Sequence, residues 1–289
     1  MKIYFATLLV LGLVVGSAVS QAALPGQFPS HAGLVFLNRF CDATVLNNRH
    51  VLTAATCALN ANNERLAPTV YTLFVSTVNI VQGATGMAVS HVFVHEHYNP
   101  DEQWNNVAVL RTTADINFNP APPLPPVEAV EFYTRIVPDT APCTLVGWNS
   151  PPQHLNVPLQ HQQQNIFNRD HCNTLNEIAG RVQNSMICAG SVVGNPNPCA
   201  NNPGGALYCD NRLVAIMSHN RRCGQPNAPG VYTAIRFHST WIQQQFNRTD
   251  LPAAGPTPAP GHPNLGGSGN ALKSSFFVLL SLLALRLFA

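Results

Sequence analysis

Eight cysteines, all lying between Cys41 and Cys223, constrain the fold of this 289-residue chain more than any other feature. They sit behind a leader in which Lys2 precedes the apolar run Ile3 to Val15 and the small residues Gly16-Ser17-Ala18-Val19-Ser20-Gln21-Ala22. That layout reads as a secretory signal peptide over 1–22, cut between Ser20 and Ala23. The apolar run is too short for a spanning helix. An even cysteine count in an oxidising compartment predicts four disulfides. The count leaves about a hundred pairings open. No Cys-x-x-Cys pair occurs to suggest a thiolate metal site.

The other end carries a second signal. Phe276 to Ala289 is apolar apart from Arg286, and falls short of the roughly 20 residues a spanning helix needs. Upstream lie Gly266-Gly267-Ser268-Gly269-Asn270 and a polar spacer with Lys273. Small residues, spacer and apolar tail make a GPI-attachment pattern, with Ser268 as the attachment residue and 270–289 as the tail. A single transmembrane tail is the alternative. Residues 249–269 are rich in Pro, Gly and Ala and read as a stalk. The predicted location is extracellular, at the cell surface through the lipid anchor. The sequon Asn247-Arg248-Thr249 marks Asn247 for glycosylation. Both lysines and Arg286 lie in segments expected to be removed, leaving 12 Arg against 13 acids, 12 − 13 = −1. Bulk charge therefore gives no reason to expect a nucleic-acid or polyanion partner.

Between the ends the pattern is β. Short runs such as Leu34–Leu37, Val51–Ala55, Thr72–Val78, Val107–Arg111, Cys143–Val146 and Leu213–Met217 recur between turn residues. The Pro-rich stretch Asn119 to Pro126 reads as an extended linker between two β halves. Only the end looks helical, where Phe237, Trp241, Ile242 and Phe246 form one apolar face.

At Val51-Leu52-Thr53-Ala54-Ala55-Thr56-Cys57 the chain resembles the trypsin/chymotrypsin-like serine proteases, which carry a His directly before that Cys. The likeness continues in order through Gly26-Gln27-Phe28-Pro29, Asn105 to Leu110, Cys143 to Trp148, Met186 to Gly190, Cys199 to Cys209, Pro229 to Thr233 and Trp241-Ile242. The resemblance implies an all-β fold of two packed six-stranded antiparallel barrels with a C-terminal helix. The homology domain would span 23–248, with barrels at about 25–118 and 130–236 and the helix at 237–246. It also implies the pairing Cys41–Cys57, Cys143–Cys209, Cys172–Cys188 and Cys199–Cys223.

The same resemblance places three substitutions at the catalytic positions. Thr56 stands for the His, Asn106 for the Asp and Pro203 for the nucleophilic Ser. None supplies a base, a counter-charge or a nucleophile. Pro203 also lacks the backbone N–H that an oxyanion hole takes from this position, alongside Asn201. Asn202 replaces the Asp that pairs with a newly cut N-terminus, and the matching Ile falls inside the leader. The specificity pocket maps to Asn197, Ser218, His219, Asn220 and Gly230. His95 and His97 alternate around Glu96 and could face one metal, but no metal or other cofactor is expected. The implied function is a non-catalytic protease homologue that binds a protein or peptide, as a decoy or cascade cofactor. An immune role is a family-level association. The alternative is a serine endopeptidase with residual or altered activity.

Overall fold

The computed structural model describes residues 20–81, 85–148, 157–175, 180–190, 203–219 and 229–248, with the backbone of Thr257–Pro258. The calls on Asn197, Asn201, Asn202, Asn220, Ser268 and the Cys199–Cys223 bridge lie outside the described residues.

The chain enters through β1 (Gln21–Ala22), then builds a closed six-stranded barrel. Its strands are β2 (His31–Phe36), β3 (Arg39–Val45), β4 (His50–Thr53), β6 (Tyr71–Val75), β7 (Thr85–Val94) and β8 (Ala108–Thr112). A two-residue strand β5 (Glu64–Arg65) lies between β4 and β6. The order around the barrel is β2-β3-β4-β8-β7-β6. Leu34, Phe36, Val45, Val51, Leu73 and Leu110 fill the interior, each contributing about 1.5–3 kcal/mol by leaving water.

No strand of either barrel lies between Thr112 and Pro142, so the Pro-rich stretch connects two halves as its composition predicts. The second barrel uses β9 (Pro142–Gly147), β10 (Gln160–Phe167), β11 (Met186–Gly190), β12 (Ala206–Cys209), β13 (Arg212–His219) and β14 (Gly230–Ala234). Each strand pairs antiparallel with its neighbour, and β9 pairs with both β10 and β12, which closes the ring. The β12–β13 turn holds Asp210 and Asn211 at φ 50° and 58°, the left-handed pair that a tight hairpin requires. Strand β1 pairs with Gln160 and His161 of β10. Residues read as the end of the leader thus pair with the second barrel, and a cut at or before Gln21 preserves that pairing.

Three of the expected disulfides are present. Cys41–Cys57, Cys143–Cys209 and Cys172–Cys188 have Cα separations of 6.2, 4.4 and 6.5 Å. A short helix α1 (Arg169–Cys172), not anticipated from the sequence, is capped by the Asn168 side chain and carries Cys172 to β11. The terminal helix α2 runs from Ile235 to Gln244 and continues as a 3₁₀ turn to Asn247, so it starts two residues earlier than its apolar face suggests. Its Ile235 and Ile242 pack with Leu52, Phe93 and Val109 of the first barrel and Trp148, Leu213 and Ile216 of the second half. This shared cluster fixes one barrel against the other.

Candidate functional site

The site begins with strand β4. After Thr53 the chain turns through a 3₁₀ segment, Ala55–Cys57, held to β3 by the Cys41–Cys57 bridge. That turn points the Thr56 backbone N–H at the Oδ1 of Asn106, 3.0 Å away. Asn106 is fully buried just ahead of β8. Its Nδ2 donates to Ser218 Oγ and to Gln103 Oε1, both at 2.9 Å. Its main-chain oxygen accepts from Thr233 Oγ1 at 3.0 Å. Both amide hydrogens and the amide oxygen of Asn106 are therefore engaged, and the two positions that the sequence pairs are brought together. The Thr56 hydroxyl is buried with no hydrogen-bond partner.

Pro203 lies beside Cys57, its carbonyl 3.6 Å from that residue's Sγ. Its carbonyl accepts from the backbone N–H of Asp42 at 3.1 Å. The next residue, Gly204, has φ +91° and donates its N–H to Met217 O at 2.9 Å. A Cβ there would collide with the Asp42 carbonyl and lie 2.7 Å from Thr53 Oγ1, so only glycine fits. The segment after position 203 is thus clamped between the two barrels.

Ser218 and His219 end β13, and Gly230 starts β14 opposite them. Ser218 Oγ lies 3.2 Å from His219 Nδ1. This hydroxyl is only 2% exposed and already accepts from Asn106. His95 and His97, outside β7, have rings 6.0 Å apart, and no group of three or more metal-ligating side chains occurs among the described residues.

One feature escaped the sequence reading. Asp42 and His31 are both buried beside Pro203, with His31 Nε2 2.9 Å from Asp42 Oδ1. Trp148 N–H, at the end of β9, reaches the same carboxylate oxygen at 3.1 Å. The one sequence hint is a lone acid, Asp42, within the otherwise uncharged run Phe40–Val45; its partner follows only from the register, which puts it opposite Gly33, one diagonal step from His31.

The trypsin family model matches residues 18–242, which takes in both barrels and α2 as far as Ile242. The chain belongs to the trypsin family. Among curated trypsin-family relatives, coagulation factor XII of Cavia porcellus is 29% identical over 251 residues, 81% of this chain and 40% of that protein. Human transmembrane protease serine 5 is 28% identical over 77% of this chain and 50% of its own length. This trypsin-family chain spans about half or less of those two relatives. The solved structure of neuropsin, a serine protease of mouse brain, superposes with TM-score 0.65 at 26% identity, covering 78% of this chain and 98% of that one. Among the described residues no helix is long and apolar enough to cross a membrane.

Proposed function

We propose that this trypsin-family chain is a non-catalytic binding module, displayed outside the cell on a C-terminal lipid anchor, that engages a protein or peptide partner. The observation that carries the reading is Pro203 at the nucleophile position, its carbonyl bonded to Asp42 N–H. Proline brings neither a hydroxyl nor an N–H. Loss of a triad costs about 10⁶ in rate, and loss of one oxyanion donor a further 10² to 10³ or so. The Thr56–Asn106 contact points the same way: a neutral amide replaces the carboxylate that would orient and stabilise an imidazolium. The Ser218–His219 contact is the one arrangement that favours an altered peptidase. Its hydroxyl is buried and held by Asn106, so a peptide carbonyl has no route of attack to it. Asn247 is exposed at the end of the 3₁₀ turn, as a glycan site requires.

The test is direct. The purified protein should hydrolyse no member of a broad peptide panel and take no label from a serine-directed fluorophosphonate. Labelling at Ser218 would establish the peptidase reading instead. Phosphatidylinositol-specific phospholipase C should release the protein from intact cells; retention would replace the lipid anchor with a spanning tail.

A further inference from the structure

Strands β4, β8 and β7 lie side by side, and their register sets His50 against Arg111 and Arg111 against His91. Three basic side chains form one row, about 10 Å long at the usual strand spacing. Two residues along each strand, Leu52, Val109 and Phe93 occupy the same face and pack with Trp241 and Phe246 of the terminal helix region. The row therefore lies on the outside of the first barrel, at the margin of the strip that the helix covers. The His50 ring is 5.1 Å from that of Phe246.

The charges around this row are unevenly matched. Arg49 pairs with Asp115 at 3.1 Å, and Arg248 with Glu96 at 3.3 Å. Arg65 donates to the main chain at Val92 O. Arg111, in the centre, has no carboxylate within 4 Å among the described residues, and its Nε is buried without a hydrogen-bond partner. The Nε2 of His50, a residue 3% exposed, is likewise buried and unbonded, while its Nδ1 meets Asn47 Oδ1 at 2.9 Å. Burial first, and then the neighbouring Arg111 and Arg49 charges, hold both His50 and His91 below the usual imidazole range.

We infer that the His50–Arg111–His91 row binds a sulfate ester of an extracellular glycan. A planar guanidinium without an acidic partner, flanked by two imidazoles, matches the several acceptor oxygens of one tetrahedral anion. The net charge of the processed chain is close to zero, so the attraction is local to this row. A glycan suits the row better than a lipid surface. Among the described residues the exposed large apolar side chains are Leu24, Leu37, Val81, Ile136 and Phe237, and none belongs to β4, β7, β8 or the end of α2. Binding to a bilayer interface draws on inserted apolar area as well as charge. The inference is independent of whether the groove retains any catalysis.

The test measures binding of the processed full-length protein to immobilised heparin, to the same polymer after desulfation, and to phosphatidylserine vesicles. Heparin should bind at about 0.15 M salt, and the desulfated polymer and the vesicles should not. Arg111→Gln and His91→Gln should each raise Kd about tenfold, and Arg111→Gln should lower the slope of log Kd against log salt by about one. Arg169→Gln, a control at an exposed arginine paired with Asp170, should leave Kd unchanged. Because a bound anion favours imidazolium, wild-type affinity should rise as pH falls from 7 towards 5, while His91→Gln shows a smaller rise. The charged neighbours that share this face are Arg49, Arg65, Arg248, Asp115 and Glu96. Equal affinity of wild type and both variants overturns the inference, as does vesicle binding without heparin binding. Circular dichroism of each variant separates lost binding from lost fold.

Discussion

The carboxylate of Asp42 meets Nε2 of His31 at 2.9 Å with both side chains shut away from water, while the main chain of Asp42 bonds to Pro203. Strands β2 and β3, the end of β9 and the segment after position 203 are thereby tied at one residue. A buried pair of this kind yields little net stability as a pair, but removing one partner strands the other. Asp42→Asn should therefore lower unfolding stability by about 3–5 kcal/mol, read from denaturant midpoints. The double variant Asp42→Leu with His31→Leu should lose less than Asp42→Asn alone. A single-variant loss below about 1 kcal/mol would show the pair to be dispensable.

Gly204 and Gly180 make a matched comparison. Both have positive φ, +91° and +73°. A methyl at 180 meets nothing within 4 Å, whereas one at 204 runs into the Asp42 carbonyl. Gly180→Ala should cost only the backbone term, about 1–2 kcal/mol. Gly204→Ala should cost several kcal/mol more and reduce the yield of folded protein sharply, because the obstacle is backbone. Thermal melts and folded yield compare the two; similar values for both would mean the segment at 203–204 shifts freely.

What the sequence disclosed, and what it hid, follows from where burial uses apolar residues. β8 and β9 announce themselves as Val- and Leu-rich runs. β10 does not: Gln162, Gln164 and Ile166 are its inward residues, and two glutamines at 4% and 2% exposure break the apolar alternation that marks a strand. Neighbouring motifs are what assign Thr56, Asn106 and Pro203 their positions in the sequence, and the structure brings Thr56 and Asn106 into contact. Asp42–His31 was not legible, because neither residue belongs to those motifs and the pair appears only once the β2–β3 register is known.

The terminal helix should respond to acid. His95 packs against Trp241 at 4.9 Å and edge-on to His238 at 5.4 Å, and His50 packs against Phe246. Burial lowers His50 and His95 to about 4, and lowers His238 in the same direction. Above pH 6.5 these rings are neutral whether folded or not, so they leave stability unchanged. Below it the unfolded chain takes up protons that the folded one refuses, and stability falls until about pH 4. The loss should be on the order of 1–2 kcal/mol for each of His50 and His95 after allowance for partial solvent access. Urea titrations at pH 7, 5.5 and 4.5 measure it, and His95→Gln should flatten the profile. An unchanged slope in that variant would place the acid sensitivity elsewhere.

Rebuilding a triad at Thr56, Asn106 and Pro203 tests the proposed non-catalytic reading. Thr56→His, Asn106→Asp and Pro203→Ser together return a nucleophile, a base and a counter-charge, and serine at 203 also returns the backbone N–H. Two obstacles remain. Asn106 Nδ2 now donates to Gln103 Oε1 at 2.9 Å, and a carboxylate there faces that oxygen until the glutamine amide turns over. Asn202, at the position that the family resemblance pairs with a new N-terminus, supplies no carboxylate. The triple variant should therefore stay at least about 10³-fold below the usual kcat/KM range of 10⁴–10⁸ M⁻¹s⁻¹, measured on fluorogenic peptides with active-site titration. Adding Asn202→Asp without a cut N-terminus should not help, since the new carboxylate would have no ammonium to pair with. A triple variant inside the normal range would mean that the groove is already formed for catalysis and that chemistry alone was lost.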